Sequence, residues 1–238
     1  MKMFQNSISR FGFRSLVLLA IPLSIAFTSC KDDDDDEPTP SPTTARLLVT
    51  HASPDAPGVD LLLDNVKVNS AALEYLGNTG YLTVNSGNRN VKVNVTGTTT
   101  TVIDATLTLV ANKNYSVFAV DSVSKISAVV IEDNLATPAS GKAHIRFVHL
   151  SPNAPAVDVA IDGGAVVFGD YEFKEASEFT PLDAGTYDLE VRVAGTSTVA
   201  LDIAPITLTA GKIYTVFAKG FLTGTGNAAL GAEIITNN

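Results

Sequence analysis

The sequence predicts an all-β protein built as two tandem antiparallel β-sandwiches. Three observations predict it. First, HASPDAPGVD (His51 to Asp60) returns as HLSPNAPAVD (His149 to Asp158), 98 residues further on. Second, hydrophobic and polar residues alternate within each copy, which is the period of a half-buried strand. Third, Thr and Val are abundant, turn residues recur at short intervals, and no long helical stripe is visible.

The first 29 residues read as a targeting segment. Lys2, Arg10 and Arg14 give a basic start, and Ser15 to Phe27 is an apolar run broken by Pro22. The run is too short to span a bilayer and suits the centre of a signal peptide. It ends in Phe27-Thr28-Ser29-Cys30, which resembles a bacterial lipobox, where cleavage precedes a cysteine that is then lipidated. Cys30 is the one cysteine of the chain. Several acyl chains on it would anchor the protein where one holds only weakly.

Next come Lys31, Asp32, Asp33, Asp34, Asp35, Asp36 and Glu37, a solvated spacer of repelling charges. An acidic run in this place also resembles the lipoprotein export signal of Bacteroidota. That resemblance implies a lipid-anchored outer-membrane protein exposed at the cell surface. Pro38 to Thr44 (PTPSPTT) adds a stiff proline-rich stretch, so residues 30–44 form a disordered tether. Removal of residues 1–29 takes three of the 16 basic residues and leaves 13 Lys+Arg against 25 Asp+Glu, a net charge of −12. That balance opposes nucleic acid and anionic membrane surfaces as partners, since both need basic patches. Without a cysteine pair, the core alone must hold the fold.

After the tether come a first copy (45–135), a small-residue linker (136–141) and a second copy (142–238). Arg46 to His51 lies over His144 to His149, and Asp60 to Asp64 over Asp158 to Asp162, at the offset of 98. TLVANKNYSVFA (Thr108 to Ala119) matches TLTAGKIYTVFA (Thr207 to Ala218) at 99, so one residue is inserted near Pro205. A period this long marks domain duplication, not a solenoid. Val59, Leu61 and Leu63 share one strand face, and Val91, Val93 and Val95 share another. Ser70 to Leu76 and Phe173 to Glu178 have room for a helical turn. Six or seven strand candidates in roughly 90 residues suggest sandwiches of immunoglobulin type. Gly185-Thr186-Tyr187 turns into an alternating strand, but the first copy has Arg89 at the tyrosine's place, so the tyrosine is not required.

The two copies resemble the domain of unknown function 4397, a bacterial envelope family. The residues that carry this are the His-x-Ser-Pro-x-Ala-Pro-x-Val-Asp runs at 51–60 and 149–158, supported by AGTYDLEVRVAGT and the YTVFA strand. The likeness spans nearly everything from Ala45 to Asn238. It implies a β-rich fold and an envelope location, and it implies no activity.

The repeated motif reads as structural. His51 shares a face with Leu47 and Val49, and His149 shares one with Ile145 and Phe147, so both rings point inward at a strand end. Ser53-Pro54 and Ser151-Pro152 turn the chain, and Pro57 and Pro155 stiffen it. A buried imidazole then needs backbone partners in the loop. Asp60 with Asp64, and Asp158 with Asp162, point outward as a solvated face or turn entry. Calcium is the sharper alternative, but no Asp-x-Asp-x-Asp-Gly loop is present. One histidine per motif and no cysteine argue against a metal site, and no cofactor is expected.

No Gly-x-Ser-x-Gly elbow supports a catalytic triad. Glu172, Glu175 and Glu178 read as a solvated loop, and Gly224-Thr-Gly226 as a hairpin connection. Tyr115 with Phe118, and Tyr214 with Phe217, read as core. Tyr171, Phe173 and Phe179, which have no evident match in the first copy, form the candidate binding patch. The expected role is non-catalytic: adhesion, or binding of an extracellular glycan or protein. The alternative is a structural or accessory subunit of an outer-membrane complex.

Overall fold

The computed structural model describes residues 43–238. The expectations for the signal segment, Cys30, Lys31 to Glu37 and most of the proline-rich stretch lie outside the described residues. The rest is all-β.

The first copy runs β1 (Thr44–His51), β2 (Val59–Leu63), β3 (Val66–Lys67), β4 (Asn78–Asn85), β5 (Gly87–Val95), β6 (Thr101–Leu109), β7 (Asn114–Val120) and β8 (Ser127–Asp133). The second runs β9 (Lys142–His149), β10 (Val157–Ile161), β11 (Val166–Tyr171), β12 (Thr180–Asp183), β13 (Gly185–Val193), β14 (Val199–Leu208), β15 (Ile213–Lys219) and β16 (Gly231–Thr236). Each copy has two four-stranded sheets, β4-β1-β7-β8 facing β3-β2-β5-β6, and β12-β9-β15-β16 facing β11-β10-β13-β14.

Three details differ from the sequence expectation, the first being eight strands per copy in place of six or seven. The pairing is not wholly antiparallel: β1 runs parallel to β7, and β9 parallel to β15. A parallel pair needs a long crossover, and the intervening strands supply it. Neither Ser70 to Leu76 nor Phe173 to Glu178 forms a helix. Each holds a tight turn instead, closed by Gly77 N–H on the Glu74 carbonyl (2.8 Å) and Glu175 N–H on the Glu172 carbonyl (3.0 Å). Its third residue is left-handed, Leu76 at φ 70° and Lys174 at φ 77°.

Between the sheets of each copy lies an apolar core. Leu47, Val49, Leu61, Val93 and Val117 build the first, and Ile145, Phe147, Val159, Val191 and Val216 the second. A third cluster joins the copies. Leu48, Ala52, Phe118 and Val120 meet Val148, Leu150, Phe217 and Ile235, with the Phe118 and Phe217 rings 5.8 Å apart. The four sheets therefore stack, with the β1/β7 and β9/β15 sheets back to back in the middle. This is why β7 and β15 are buried in nearly continuous runs: such strands are covered on both faces. Tyr115 and Phe118 belong to different cores, as do Tyr214 and Phe217.

Candidate functional site

The His-x-Ser-Pro loops sit where each copy crosses from its inner to its outer sheet. Ser53 N–H donates to His51 Nδ1 (3.3 Å), so Nε2 carries the proton and donates to the Pro57 carbonyl (3.0 Å). The second copy repeats this, with Ser151 N–H on His149 Nδ1 (3.3 Å) and His149 Nε2 on the Pro155 carbonyl (3.0 Å). Both imidazoles are fully buried. Burial holds both below the ordinary histidine value, partly opposed by those carbonyl bonds. The serine hydroxyls donate to the Asp121 and Gly220 carbonyls at 2.6 Å, tying each loop to the end of β7 or β15. Asp55 and Asn153 add a matching tie, accepting from Val123 N–H (2.8 Å) and Leu222 N–H (2.7 Å). At Gly220, a Cβ would lie 2.1 Å from the Ala229 carbonyl oxygen, so the approach of that loop requires glycine.

The histidine backbone holds the left-handed turn. His51 accepts from Leu76 N–H (2.7 Å) and donates to Gly77 O (3.0 Å), and His149 accepts from Lys174 N–H (2.8 Å) and donates to Glu175 O (2.9 Å). These turns reach the other copy. Leu76 and Phe173 pack into the shared cluster, and Lys174 lies 3.8 Å from Asp121. The Tyr75 phenol is pushed above its ordinary value first by burial and then by Glu233 of the second copy. The variable residue of each motif, Ala52 or Leu150, is fully buried in the same cluster. The motif thus shapes the face by which the copies join.

The aspartates split. Asp60 and Asp158 are not solvated: they are 7% and 8% exposed. Asp60 accepts from Gly97 N–H (3.2 Å) and pairs with Lys67 (2.7 Å), which holds its carboxyl below the usual range. Asp158 accepts from Gly195 N–H (2.9 Å) and Asp170 N–H (2.7 Å). Both clamp the turn of the β5–β6 or β13–β14 hairpin. Asp64 and Asp162 are exposed turn residues. No group of three or more His, Cys, Asp or Glu placed to hold a metal occurs among the described residues.

Tyr171, Phe173 and Phe179 do not form one exposed patch. Each is half-buried with a partner inside the fold: Tyr171 on Phe147 (6.0 Å), Phe173 on His149 (6.4 Å), and Phe179 under the Arg146 guanidinium (4.6 Å). Nor are they peculiar to the second copy, since at the offset of 98 they match Leu73, Tyr75 and Tyr81. Glu172, Glu175 and Glu178 are exposed on the turn and the segment after it. The Tyr187 hydroxyl closes on the Asp183 carbonyl (2.8 Å); in the first copy, Arg89 pairs with Asp64 (3.0 Å).

The sequence reading missed the main polar feature, a buried ionic network between the copies. Arg146 and Asp133 are 1% and 3% exposed and pair at 2.7 Å. Arg146 also donates to Thr215 Oγ1 and Ser116 Oγ, both at 2.9 Å. Asp133 accepts from Ser116 Oγ (2.7 Å) and Tyr81 OH (2.5 Å), and Asn237 Nδ2 donates to Tyr81 OH (3.2 Å). Two of its positions differ in kind between the copies: Arg146 stands where the first copy has Leu48, and Asn237 where it has Asp133. A charged residue in place of a core leucine in the duplicate was the available signal.

No curated protein matches the sequence. Three solved structures show distant likeness. A family 26 carbohydrate-binding module of Eubacterium rectale, solved with maltoheptaose, is 11% identical with a TM-score of 0.26, covering 80% of this chain and 95% of its own. The TIE protein of Bacillus anthracis is 12% identical at 0.25, covering 74% of this chain and 34% of its own. A leucine-rich repeat protein of Bacteroides thetaiotaomicron is 12% identical at 0.19, covering 73% and 25%. TM-scores this low carry no argument. The family model described as a domain of unknown function (DUF4397) matches residues 45–160 and again 151–238, the first match running past the linker into β10. The chain belongs to that family.

Proposed function

We propose that this protein is a non-catalytic, lipid-anchored protein of the bacterial cell surface, presenting a rigid body for adhesion or for binding an extracellular glycan or protein. The supporting observation is the use made of the repeated polar residues. Each motif histidine and serine is consumed in backbone bonds that fix a loop, and the loops in turn shape the joint between copies. Chemistry used twice in this way serves shape. Two welded sandwiches hold their outer loops at a fixed spacing, which suits display on a tether.

A second reading, an accessory subunit of an envelope complex, draws on the sheet edges. β8 and β16 are edge strands and expose Val130 and Ile234. Unpaired edges are docking places for partner proteins.

Protease added to intact cells tests the location: removal of the protein is expected, and full protection would overturn surface exposure. Glycan and matrix-protein arrays probed with the chain from Thr39 to Asn238 test the role. A specific hit is expected, and a blank from folded protein moves the assignment to the accessory subunit. Hydrolytic activity lost on substituting His51 and His149 would overturn the non-catalytic reading.

A further inference from the structure

The two copies differ at one edge of the sandwich. In the first, Ile103, Leu107 and Val117 close around a cavity of only 10 Å³. In the second, the matching Leu201, Ile206 and Val216 line an open groove of 420 Å³ between β14 and β16. That volume lies within the roughly 300–1,000 Å³ of ligand sites.

The cause is local. β13 pairs with β14 through Tyr187↔Ile206 and Leu189↔Ile203, so one β13 residue faces two of β14, Ala204 and Pro205. This bulge contains the inserted residue, and a bulge bends its strand. The matching β5–β6 pairing runs without a break from Gly87↔Leu109 to Val93↔Ile103. Pro205 also lacks a backbone donor, so this part of β14 is a poor pairing edge.

The opposite lip, β16, is free along one side. Asn237 N–H donates to the Ile213 carbonyl, and antiparallel bonding alternates from there. That parity turns the backbone N–H and C=O of Ala232 and Ile234 toward the open side. A strand added to β16 would set alternate side chains against two different surfaces. One set faces Ile234 and the apolar wall, on the face shared with Val216. The other faces the side of Glu233, an exposed carboxylate registered with Phe217. Asp202 flanks the far lip. At the place of Glu233, β8 has Val129, half-buried in the joint, whereas Asp202 has a counterpart in Asp104; the groove's one lining cation, Lys219, is held by the Asn227 carbonyl (3.0 Å).

We propose that the β14/β16 groove is a strand-addition site for an extended peptide of alternating apolar and basic residues. This rests on the binding reading above and assigns it a place and a ligand class. The test titrates the isotope-labelled chain from Thr39 to Asn238 with a Val-Lys-Val-Lys-Val-Lys peptide, using Val-Glu-Val-Glu-Val-Glu as control. The Ala232 and Ile234 amide resonances are expected to shift with the basic peptide alone. Ile234→Pro removes one edge donor and should weaken binding at least tenfold, while Val130→Pro on β8 should leave it unchanged. Should Ile234→Pro unfold the chain, Glu233→Lys on the exposed face gives the same tenfold loss by charge. Absence of shifts at millimolar peptide, or equal shifts on β8, overturns the proposal. An array hit unaffected by Glu233→Lys and Ile234→Pro overturns the groove while leaving the binding reading intact.

Discussion

The two copies share strand order, motif geometry and hairpin clamps, yet they have diverged in two places with opposite logic. At the joint the differences are complementary: the second copy carries a cation at Arg146, and the first the anion at Asp133. At the β14/β16 edge the difference is one-sided, for the second copy has an open groove and the first a closed cavity. Complementary divergence makes the copies fit each other. One-sided divergence makes a surface aimed elsewhere.

Breaking the joint should have the largest effect. Arg146→Met or Asp133→Ala alone leaves a buried charge unpaired and should cost about 3–5 kcal/mol in denaturant unfolding. The double Asp133→Leu, Arg146→Met variant should recover most of that loss, because an apolar pair avoids desolvating two ions. A double variant as unstable as either single would show that the network's hydrogen bonds, not charge pairing, hold the joint.

Next comes the motif loop. Ser53→Ala and Ser151→Ala each remove the donor to a carbonyl at a β7 or β15 end, and each should cost about 1–3 kcal/mol. Near-equal losses in the two copies would show that the motif does the same work in each, and a large inequality would break the symmetry.

The histidines give a pH signature. Both folded-state pKa values are lowered, so the unfolded chain binds protons first as pH falls below about 6.5. Stability is full above that value and declines below it toward the folded pKa values, by up to about 1.4 kcal/mol per pH unit for each histidine. Melts from pH 7.5 to 5 should show this slope, and a His51→Gln, His149→Gln variant should flatten it.

The smallest effect tests the turns. Lys174→Gly relieves a left-handed lysine and loses only a loose, exposed 3.8 Å approach to Asp121, so it should stabilise by at most about 1 kcal/mol. Leu76→Gly relieves the same strain but empties part of the joint, so its sign should reverse. Matching signs would mean that Leu76 contributes little packing.

Much of this was legible in the sequence. The duplication follows from His51 over His149, the strands from alternation such as Val91-Lys92-Val93, and the inward histidines from their place after Leu47 and Val49. For Asp60 and Asp158 the pattern misleads, because alternation reports which face a residue takes, not whether a hairpin folds over it. Tyr171, Phe173 and Phe179 resemble a patch in the sequence because aromatic rings in a connecting segment look free until their partners, Phe147, His149 and Arg146, are brought to them.

Strand alternation and the repeat depend on residues near one another in the chain and can be read from it directly, whereas the left-handed turns at Leu76 and Lys174 could not. Which sheet faces meet, that Arg146 finds Asp133, and that one sandwich edge stands open emerge from the folded arrangement. Those depend on pairing residues far apart in sequence, and a period of two gives each strand two faces without naming what covers either.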